Sequence, residues 1–187
     1  IGTHNRGKFK EISYLISKKY KKISPISLSI PSPKETGKTF SSNSKLKANF
    51  FSKFVDYAVI SDDSGLCIKT LSNRPGIYSA RLAKKKGSFY KAMKYILKKL
   101  EGKKNRSATF VCSLSIKVPQ KKLVTVEGKL NGVISKKILG NNGFGYDPIF
   151  IPRGYKITFG QMTYYKKIKL DHRFLAYKKL KKKIKIL

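Results

Sequence analysis

The 187-residue sequence has no tryptophan, two cysteines and only nine acidic residues. Cys67 and Cys112 are isolated, so they form neither a metal motif nor a disulfide framework, and they fit a reducing cytoplasm. No apolar run is long enough to span a membrane, and no signal-peptide pattern follows Ile1. The hydrophobic share of 40% is enough for a buried core. We therefore expect a single domain over residues 1–187, located in the cytoplasm and without a membrane partner.

Positive charge dominates the composition, because 43 lysine and arginine residues give a formal net charge of +34. Such an excess favours anionic partners, whether nucleic acid or the phosphates of a nucleotide. Only six of these residues are arginine, the side chain that specific nucleic-acid contacts prefer, and the lysines are spread along the chain. A solvated lysine-rich surface is the simpler explanation, so nucleic acid is not required as a partner. The few carboxylates become the informative residues.

The hydrophobic spacing indicates an α/β fold with a mixed sheet. Helices are predicted over 7–19, 39–57, 88–100 and 171–184, with Thr39 as a cap. Strands are predicted at 22–28, 58–60, 66–70, 107–117, 121–130 and 149–151. In this assignment Asp62 and Asp63 lie in a turn between two short strands.

Two sequence blocks in the first third of the chain combine residue types that bind phosphate and metal. Gly2-Thr3-His4-Asn5-Arg6-Gly7-Lys8 opens a helix, where backbone N–H groups attract phosphate and Lys8 adds charge. It lacks Walker A spacing, so an ordinary helix entry explains it equally well. Ser61-Asp62-Asp63-Ser64-Gly65 places two carboxylates after a buried strand, which suits Mg²⁺. Capping of a turn by Asp is an equally good explanation of this second block.

Two further blocks lie near the C-terminus. In Gly143-Phe144-Gly145-Tyr146-Asp147-Pro148 the glycines allow an aromatic ring to lie against a flat ligand, and Asp147 can accept hydrogen bonds from base N–H groups. An ordinary Gly turn is the alternative. Lys167 and the Asp171-His172-Arg173 triplet add cations at the last helix. Helix capping explains Asp171 but not the His-Arg pair. Together, in this order, the four blocks indicate a nucleotide site.

The same blocks resemble the inosine-triphosphatase, or Ham1-like, family over nearly the whole chain. The matching motifs are Thr3-x-Asn5-x-x-Lys8-x-x-Glu11, Glu35-Thr36-Gly37-x-Thr39-Phe40-x-x-Asn43, Asp62-Asp63-Ser64-Gly65-Leu66, Pro75-Gly76-Ile77-Tyr78-Ser79-Ala80-Arg81, Gly143 to Phe150, and His172-Arg173. The octet Gly-Phe-Gly-Tyr-Asp-Pro-Ile-Phe and the heptad Pro-Gly-Ile-Tyr-Ser-Ala-Arg are highly specific.

The resemblance implies a long, twisted mixed β-sheet flanked by helices, with two lobes, a central cleft and a homodimer. It also implies that residues of a first strand precede Ile1. The implied activity is Mg²⁺-dependent hydrolysis of the non-canonical purine triphosphates ITP, dITP and XTP to the monophosphate and pyrophosphate, which clears deaminated nucleotides from the pool. Two alternatives from other classes are a basic nucleic-acid-binding protein on the same scaffold and a Maf-like pyrophosphatase for modified pyrimidine nucleotides.

The resemblance also implies a role for each matching residue. Asp63 would be the proton acceptor and a metal ligand, with Asp62 as a second metal ligand. The triphosphate would be held by Thr3, His4, Asn5, Arg6, Gly7, Lys8 and Ser64. The base would be held by Phe144, Gly145, Tyr146, Asp147, Lys167, His172 and Arg173. Ser42 departs from the family pattern, which has there a Glu expected to help hold the metal.

Overall fold

The computed structural model describes residues 1–184, and six helices and five strands are assigned within that range. The helices are α1 (Arg6–Leu15), α2 (Phe40–Phe51), α3 (Ser79–Lys86), α4 (Phe89–Lys99), α5 (Tyr164–Ile168) and α6 (His172–Lys183). The strands are β1 (Val59–Ile68), β2 (Arg74–Pro75), β3 (Ser107–Lys117), β4 (Val124–Ile134) and β5 (Phe150–Pro152). No helix of this part of the chain combines the length and apolar character that a membrane span needs.

The five strands form one sheet in the order β2-β1-β3-β4-β5. Both edge pairings are antiparallel: Cys67 lies opposite Pro75 on one side, and Val133 lies opposite Ile151 on the other. The α/β class, with a long sheet flanked by helices, is confirmed. Short two- and three-residue strands at the edges leave little exposed backbone for a neighbouring chain to extend.

The chain divides into two compact units, each with a core of its own. The first unit contains Ile1–Asp63, Cys112–Gly128 and the chain from His172 onward. Its core is built by buried side chains of α1, β1, β3, β4 and α6, among them Ile12, Ile60, Leu114, Val126 and Leu180. The buried core residues recur at helical spacing in α1 and α6 and at alternate positions in β3, so one face of each of these elements is apolar. The unit is therefore held by ordinary hydrophobic burial.

The second unit contains Ser64–Val111 and Lys129–Asp171. Its core includes buried side chains from the end of β1, α3, α4, the start of β3 and β5, among them Leu66, Ala83, Ile96, Phe110 and Phe150. Phe110 and Phe150 bring their ring centroids to 4.5 Å, and Phe159 packs on both rings. Such aromatic pairs add to the stabilisation that burial alone provides.

Two of the predicted elements are wrong. Residues 22–28 do not form a strand, since Pro25 starts a 3-10 turn over Ile26–Leu28 that ends at Ser29 in the left-handed region. Asp62 and Asp63 do not lie in a turn, since β1 continues through them to Ile68.

Gly65 was interpreted as a turn residue, but its role is close approach within the second unit. An added Cβ at this position would lie 2.2 Å from the carbonyl oxygen of Gly76 and 2.6 Å from the hydroxyl of Ser79. The Leu66 N–H donates to the same Ser79 hydroxyl over 2.9 Å. Steric closeness, rather than chain reversal, therefore requires glycine at position 65.

The predicted start of α2 agrees better with the structure. Thr39 caps α2 as predicted, and its hydroxyl accepts a hydrogen bond from the Ser42 N–H over 3.0 Å. The Ser42 hydroxyl in turn accepts from the Thr39 N–H over 3.0 Å, which completes a capping box. The helix ends at Phe51, six residues before the predicted end at 57. The cap fixes where α2 begins, and with it the orientation of the side chains in its first turns.

We predict that Gly128→Ala destabilises the first unit. An added Cβ on this β4 residue would lie 2.2 Å from backbone atoms of His172 and Ala176 in α6, so strand and helix would have to separate. Overpacking of this kind costs about 1–3 kcal/mol. Urea unfolding should show a lower midpoint than wild type, whereas Lys129→Ala at the adjacent exposed position should stay close to wild type. A wild-type midpoint for Gly128→Ala would show that the contact is not tight.

Candidate active site

Asp62 and Asp63 are neighbours in β1, so their side chains project to opposite faces of the strand. Both are buried, with exposed fractions of 0% and 4%. A buried carboxylate is stable only when cations or hydrogen-bond donors compensate for the lost water. Asp62 and Asp63 meet this requirement with different partners, and as a result the pKa values of the two carboxyl groups shift in opposite directions.

Asp62 is surrounded by permanent positive charge. Its Oδ2 lies 3.1 Å from Lys8 Nζ and 3.5 Å from Arg173 Nη2. Burial by itself would raise the pKa of Asp62, but the charges of Lys8 and Arg173, with a further contribution from Lys47, lower it far below the ordinary value. Asp62 is therefore a permanent anion that holds two cations in place.

Arg173 joins Asp62 to a third acid. Its Nη1 contacts Glu11 Oε2 in α1, and both side chains are almost completely buried. Arg173 has an exposed fraction of 1%, and it lies in the first turn of α6. Lys8, Asp62, Arg173 and Glu11 thus form a chain of alternating charges across α1, β1 and α6. The planar guanidinium suits this place because it can pair with two carboxylates at once.

Asp63 is held mainly by α2. Asn43 Nδ2 donates to Asp63 Oδ2 over 3.0 Å, and Lys47 Nζ lies 3.8 Å from Asp63 Oδ1. Lys47 Nζ also donates to Glu35 Oε1 over 2.5 Å. Burial raises the pKa of Asp63, and the charge of Glu35 adds to this; Lys8, Lys47 and the Asn43 hydrogen bond oppose it without reversing it. Asp63 is therefore more basic than an ordinary aspartate.

Lys47 is the cation that lies close to both the Asp63 and the Glu35 carboxylates. Its side chain is only 8% exposed, and burial alone would lower the pKa of Lys47. The negative charges of Asp62, Asp63 and Glu35 outweigh burial and raise it. Lys47 therefore stays protonated, and it keeps Glu35 and Asp63 close together.

Asp63 and Glu35 together fit a divalent metal ion. Both present hard oxygen donors to the same cationic group, and the Glu35 side chain is 29% exposed, which allows a hydrated ion to approach. Across residues 1–184 no cluster of three or more His, Cys, Asp or Glu side chains has the arrangement of an all-protein metal site. Mg²⁺ does not require one, because it commonly takes one or two carboxylates and completes its shell with water and substrate phosphate.

The structure accounts for the serine at position 42, where a carboxylate was expected. Ser42 occupies the third position of α2, where its hydroxyl serves the capping box with Thr39. Glu35, in the preceding segment, is the acid that contacts Lys47 of α2. Glu35 appears in the sequence as part of a motif without an assigned role, and Lys47 was not predicted, because only the fold brings α2 next to β1.

The first sequence block forms the entry to α1. Asn5 is its N-cap, and the Asn5 side chain accepts a hydrogen bond from the Lys8 N–H over 3.0 Å. Thr3 is buried, while Arg6 is exposed and His4 Nε2 lies 2.9 Å from the carbonyl oxygen of Ile30. Gly7 lies in the first turn of the helix. The helix entry is confirmed, and the roles of these residues in phosphate binding stay predictions.

The second unit contains a separate group formed by Phe144, Asp147 and Lys167. Asp147 Oδ2 accepts hydrogen bonds from the Phe144 N–H over 2.8 Å and from Lys167 Nζ over 2.6 Å. Lys167 Nζ also lies 4.8 Å from the centroid of the Phe144 ring. An added Cβ at Gly143 would lie 2.1 Å from Asp147 Oδ2, and φ is +75° at Gly143 and +68° at Gly145. Glycine at both positions allows the loop to fold around this buried ion pair.

The other predicted site residues are placed as follows. Tyr146 is part of the core: it is buried, packs on Phe89, and donates its hydroxyl to the Ser79 carbonyl oxygen over 2.9 Å. Ser64 is partly buried in β1, and His172 is buried at the start of α6. The fold thus groups Lys8, Asp62, Asp63 and Arg173 in the first unit, and Phe144, Asp147 and Lys167 in the second. Their proposed ligands stay predictions.

The fold and these charged groups define an α/β protein with buried acids and lysines suited to an anionic, metal-associated ligand. The chain matches the Ham1 family over residues 1–183. A relative called dITP/XTP pyrophosphatase from Bacillus subtilis is 40% identical over 97% of this chain and 94% of its own length. One of the same name from Caulobacter vibrioides is 39% identical over 96% of this chain and 93% of its own length.

Solved structures give the same result. The Ham1 protein of Staphylococcus aureus has a TM-score of 0.87 and 33% identity, covering 98% of this chain and 96% of that chain. A HAM1 protein from Coxiella burnetii has a TM-score of 0.87 and 30% identity, covering 100% of this chain and 97% of that chain. This chain belongs to the Ham1 family.

We predict that Arg173→Met is strongly destabilising and that Glu11→Leu in the same chain partly restores stability. The single change leaves Glu11 and Asp62 buried without the guanidinium, and breaking such a buried pair costs about 3–5 kcal/mol. The double variant removes one of the two acids that lose the guanidinium. Urea unfolding at neutral pH checks both variants. If the two changes were simply additive, Glu11 and Arg173 would not act as a pair.

Proposed function

We propose that this chain is a nucleoside-triphosphate pyrophosphatase that hydrolyses dITP, XTP and ITP to the monophosphate and pyrophosphate. Relatives called dITP/XTP pyrophosphatase that match nearly the whole chain support this reaction class. The observation that carries the proposal is Asp63, a buried carboxylate of raised pKa held between Asn43 and Lys47. A clearing role for deaminated purine nucleotides follows from these substrates.

Asp63 is proposed as the group that orients the attacking water and accepts its proton. Attack on the α-phosphorus needs a base close to the water, and a raised pKa makes a carboxylate a better acceptor near neutral pH. Asn43 fixes one oxygen of Asp63, so the carboxylate is already oriented before substrate binds. Asp62 does not suit the base role, because Lys8 and Arg173 hold it as an anion with a low pKa.

The triphosphate is proposed to bind at the start of α1. Lys8 is 15% exposed, and its ammonium is available to a phosphate while it remains paired with Asp62. The N–H groups in the first turn of α1 add the positive end of the helix dipole. Lys8 and Lys47 would stabilise the negative charge that develops on the departing pyrophosphate. Thr3, His4, Asn5, Arg6, Gly7 and Ser64 complete the proposed triphosphate contacts.

Asp63 and Glu35 are the residues proposed to hold Mg²⁺, while Asp62, the neighbour of Asp63 in the sequence, is engaged with Lys8 and Arg173. When bound, the ion supplies a positive charge that polarises phosphate oxygens and stabilises the leaving group. Glu35 keeps this charge close to Asp63, and Lys47 maintains the spacing of the two carboxylates.

Base selection is proposed to rest on Phe144 and Lys167, with Gly145, Tyr146 and Asp147 shaping the loop. Hypoxanthine and xanthine carry a 6-oxo acceptor that Lys167 can donate to, whereas adenine carries a 6-amino donor at the same place. An unpaired donor would cost adenine about 1–3 kcal/mol, which is about tenfold or more in selectivity. His172 and Arg173 remain proposed base contacts by resemblance; Arg173 is already paired with Glu11 and Asp62.

The assembly and location are proposals that rest on the resemblance. We propose one domain over residues 1–187 that forms a homodimer in the cytoplasm. Residues 185–187 lie outside the described part of the chain. Light scattering on the purified protein distinguishes a dimer from a monomer directly.

We predict that the protein releases pyrophosphate from dITP, XTP and ITP in Mg²⁺, and much more slowly from ATP or dUTP. The 6-oxo acceptor explains the preference over ATP, and chelation of the metal should stop turnover. Preference for dUTP would favour a Maf-like pyrimidine activity instead. Steeply salt-dependent RNA binding without any turnover would favour the nucleic-acid-binding alternative.

We predict that Asp63→Asn removes nearly all turnover while the protein stays folded. The amide cannot accept the proton from water, and a lost general base costs about 100-fold or more. Asp56→Asn is the matched control, because Asp56 is exposed, lies outside this site and changes charge equally. Steady-state pyrophosphate release and circular dichroism are the measurements. If Asp63→Asn kept most of the wild-type rate, Asp63 would not be the proton acceptor.

A further inference from the structure

One side chain contacts both Asp63 and the segment that carries Glu35. Asn43 is completely buried in the second turn of α2. Its Nδ2 donates to Asp63 Oδ2 over 3.0 Å, and its Oδ1 accepts from the Gly37 N–H over 2.8 Å. We infer that Asn43 is a positioning residue that orients the Asp63 carboxylate and holds the Glu35 segment beside it. This inference rests on the proposed function through the roles of Asp63 as base and of Asp63 and Glu35 as the residues that hold the metal.

The chemistry of the two partners requires an amide at position 43. The ionised Asp63 only accepts hydrogen bonds, and the Gly37 N–H only donates. A primary amide has one end for each, so the two partners also fix which way the Asn43 amide is turned. An Asp at this position could accept from Gly37 but could not donate to Asp63. A Leu of similar size could do neither.

The Asn43 contact determines which partner each oxygen of the Asp63 carboxylate faces. Oδ2 is directed to Asn43, and Oδ1 is directed to Lys47, whose Nζ lies 3.8 Å away. Rotation of the carboxylate would break the hydrogen bond to Asn43. Oδ1 is therefore the oxygen that lies on the side of Lys47 and Glu35, and the Asn43 contact keeps it there.

The contact with Gly37 is close enough to act on Glu35. An added Cβ at Gly37 would lie 2.3 Å from Ser42 Oγ and 2.5 Å from Asn43 Oδ1, so the segment lies directly on the start of α2. Glu35 is only two residues upstream and reaches Lys47 from there. Displacing Gly37 would thus shift the Glu35 carboxylate relative to Asp63.

A buried hydroxyl network holds α2 in register with the sheet. Ser44, the residue after Asn43, shares hydrogen bonds with Ser113 over 2.9 Å and with Ser115 over 2.8 Å, both in β3. Ser115 shares another of 2.8 Å with Thr125 in β4. A slide of α2 along β3 would break these bonds. The Asn43 amide therefore stays opposite Asp63.

The main test is Asn43→Asp, which keeps the acceptor for Gly37 but removes the donor to Asp63. Loss of a supporting partner of this kind typically costs about 10–100-fold in activity. We expect kcat for dITP to fall by about that factor while KM stays within about threefold, because the triphosphate contacts are untouched. Asn49→Asp, the same change at an exposed position of α2, is the matched control and should behave as wild type.

A second measurement does not depend on turnover. Binding of Mn²⁺ alone, followed by electron paramagnetic resonance, should be weakened about tenfold or more in Asn43→Leu and in Gly37→Ala, since both changes let Glu35 move away from Asp63. Unfolding midpoints establish whether the variants are folded. If Asn43→Leu is not folded, Gly37→Ala provides the test. Wild-type Mn²⁺ affinity in the folded variants would overturn the inference, as would wild-type kcat in Asn43→Asp.

The two tests separate this inference from the proposed function. A wild-type protein that hydrolyses none of the triphosphates overturns the proposed function, and the Mn²⁺ affinities then decide on Asn43 alone. A wild-type protein that hydrolyses dITP, with Asn43→Asp equally fast, leaves the proposed function standing and overturns the positioning role.

Discussion

The first unit depends on the pairing of buried carboxylates with buried cations. Glu11, Asp62 and Asp63 are almost completely inside the protein, and removing such groups from water costs several kcal/mol each unless a partner compensates. Arg173 and Lys47 are the partners, and they are equally buried. Because the acids lie on α1 and β1 and the cations lie on α6 and α2, satisfying the charges also fixes how these elements pack. The electrostatic requirement therefore positions the candidate site.

The amino-acid composition allowed part of this charge pairing to be predicted. In a chain of net charge +34, each acid has an excess of lysines available to it, so an acid retained beside a buried strand stands out. Asp62 and Asp63 are therefore recognisable from the sequence. Lys47 is not, because one lysine among so many carries no signal of its own. Glu35 was missed for a different reason: its importance comes from its distance to Lys47, and that distance depends on where α2 packs.

The errors in secondary structure have a common physical origin. A turn was expected at Asp62 and Asp63, but the strand continues through them, and Gly65 is required for its lack of a side chain next to Gly76 and Ser79. The apolar residues of 22–28 matched a strand by composition, but Pro25 directs the backbone into a 3-10 turn. Local patterns predicted α1, α2, α4 and α6 and the long strands β3 and β4, since their periodicity reflects burial directly, but they did not predict α3 or α5. Long-range contacts decided the remaining cases.

Adjacent residues with the same side chain acquire opposite properties in this site, and strand geometry is the reason. Successive side chains in a strand face opposite sides, so Asp62 faces Lys8 and Arg173 while Asp63 faces Asn43 and Lys47. Two full positive charges at short distance lower the pKa of Asp62 in spite of its burial. Burial and the charge of Glu35 leave the pKa of Asp63 raised, although Lys8, Lys47 and the Asn43 hydrogen bond oppose them. In a turn, the geometry that the sequence predicted, both carboxylates could have shared the same partners. The continuous strand thus separates an acid of lowered pKa that holds two cations from an acid of raised pKa.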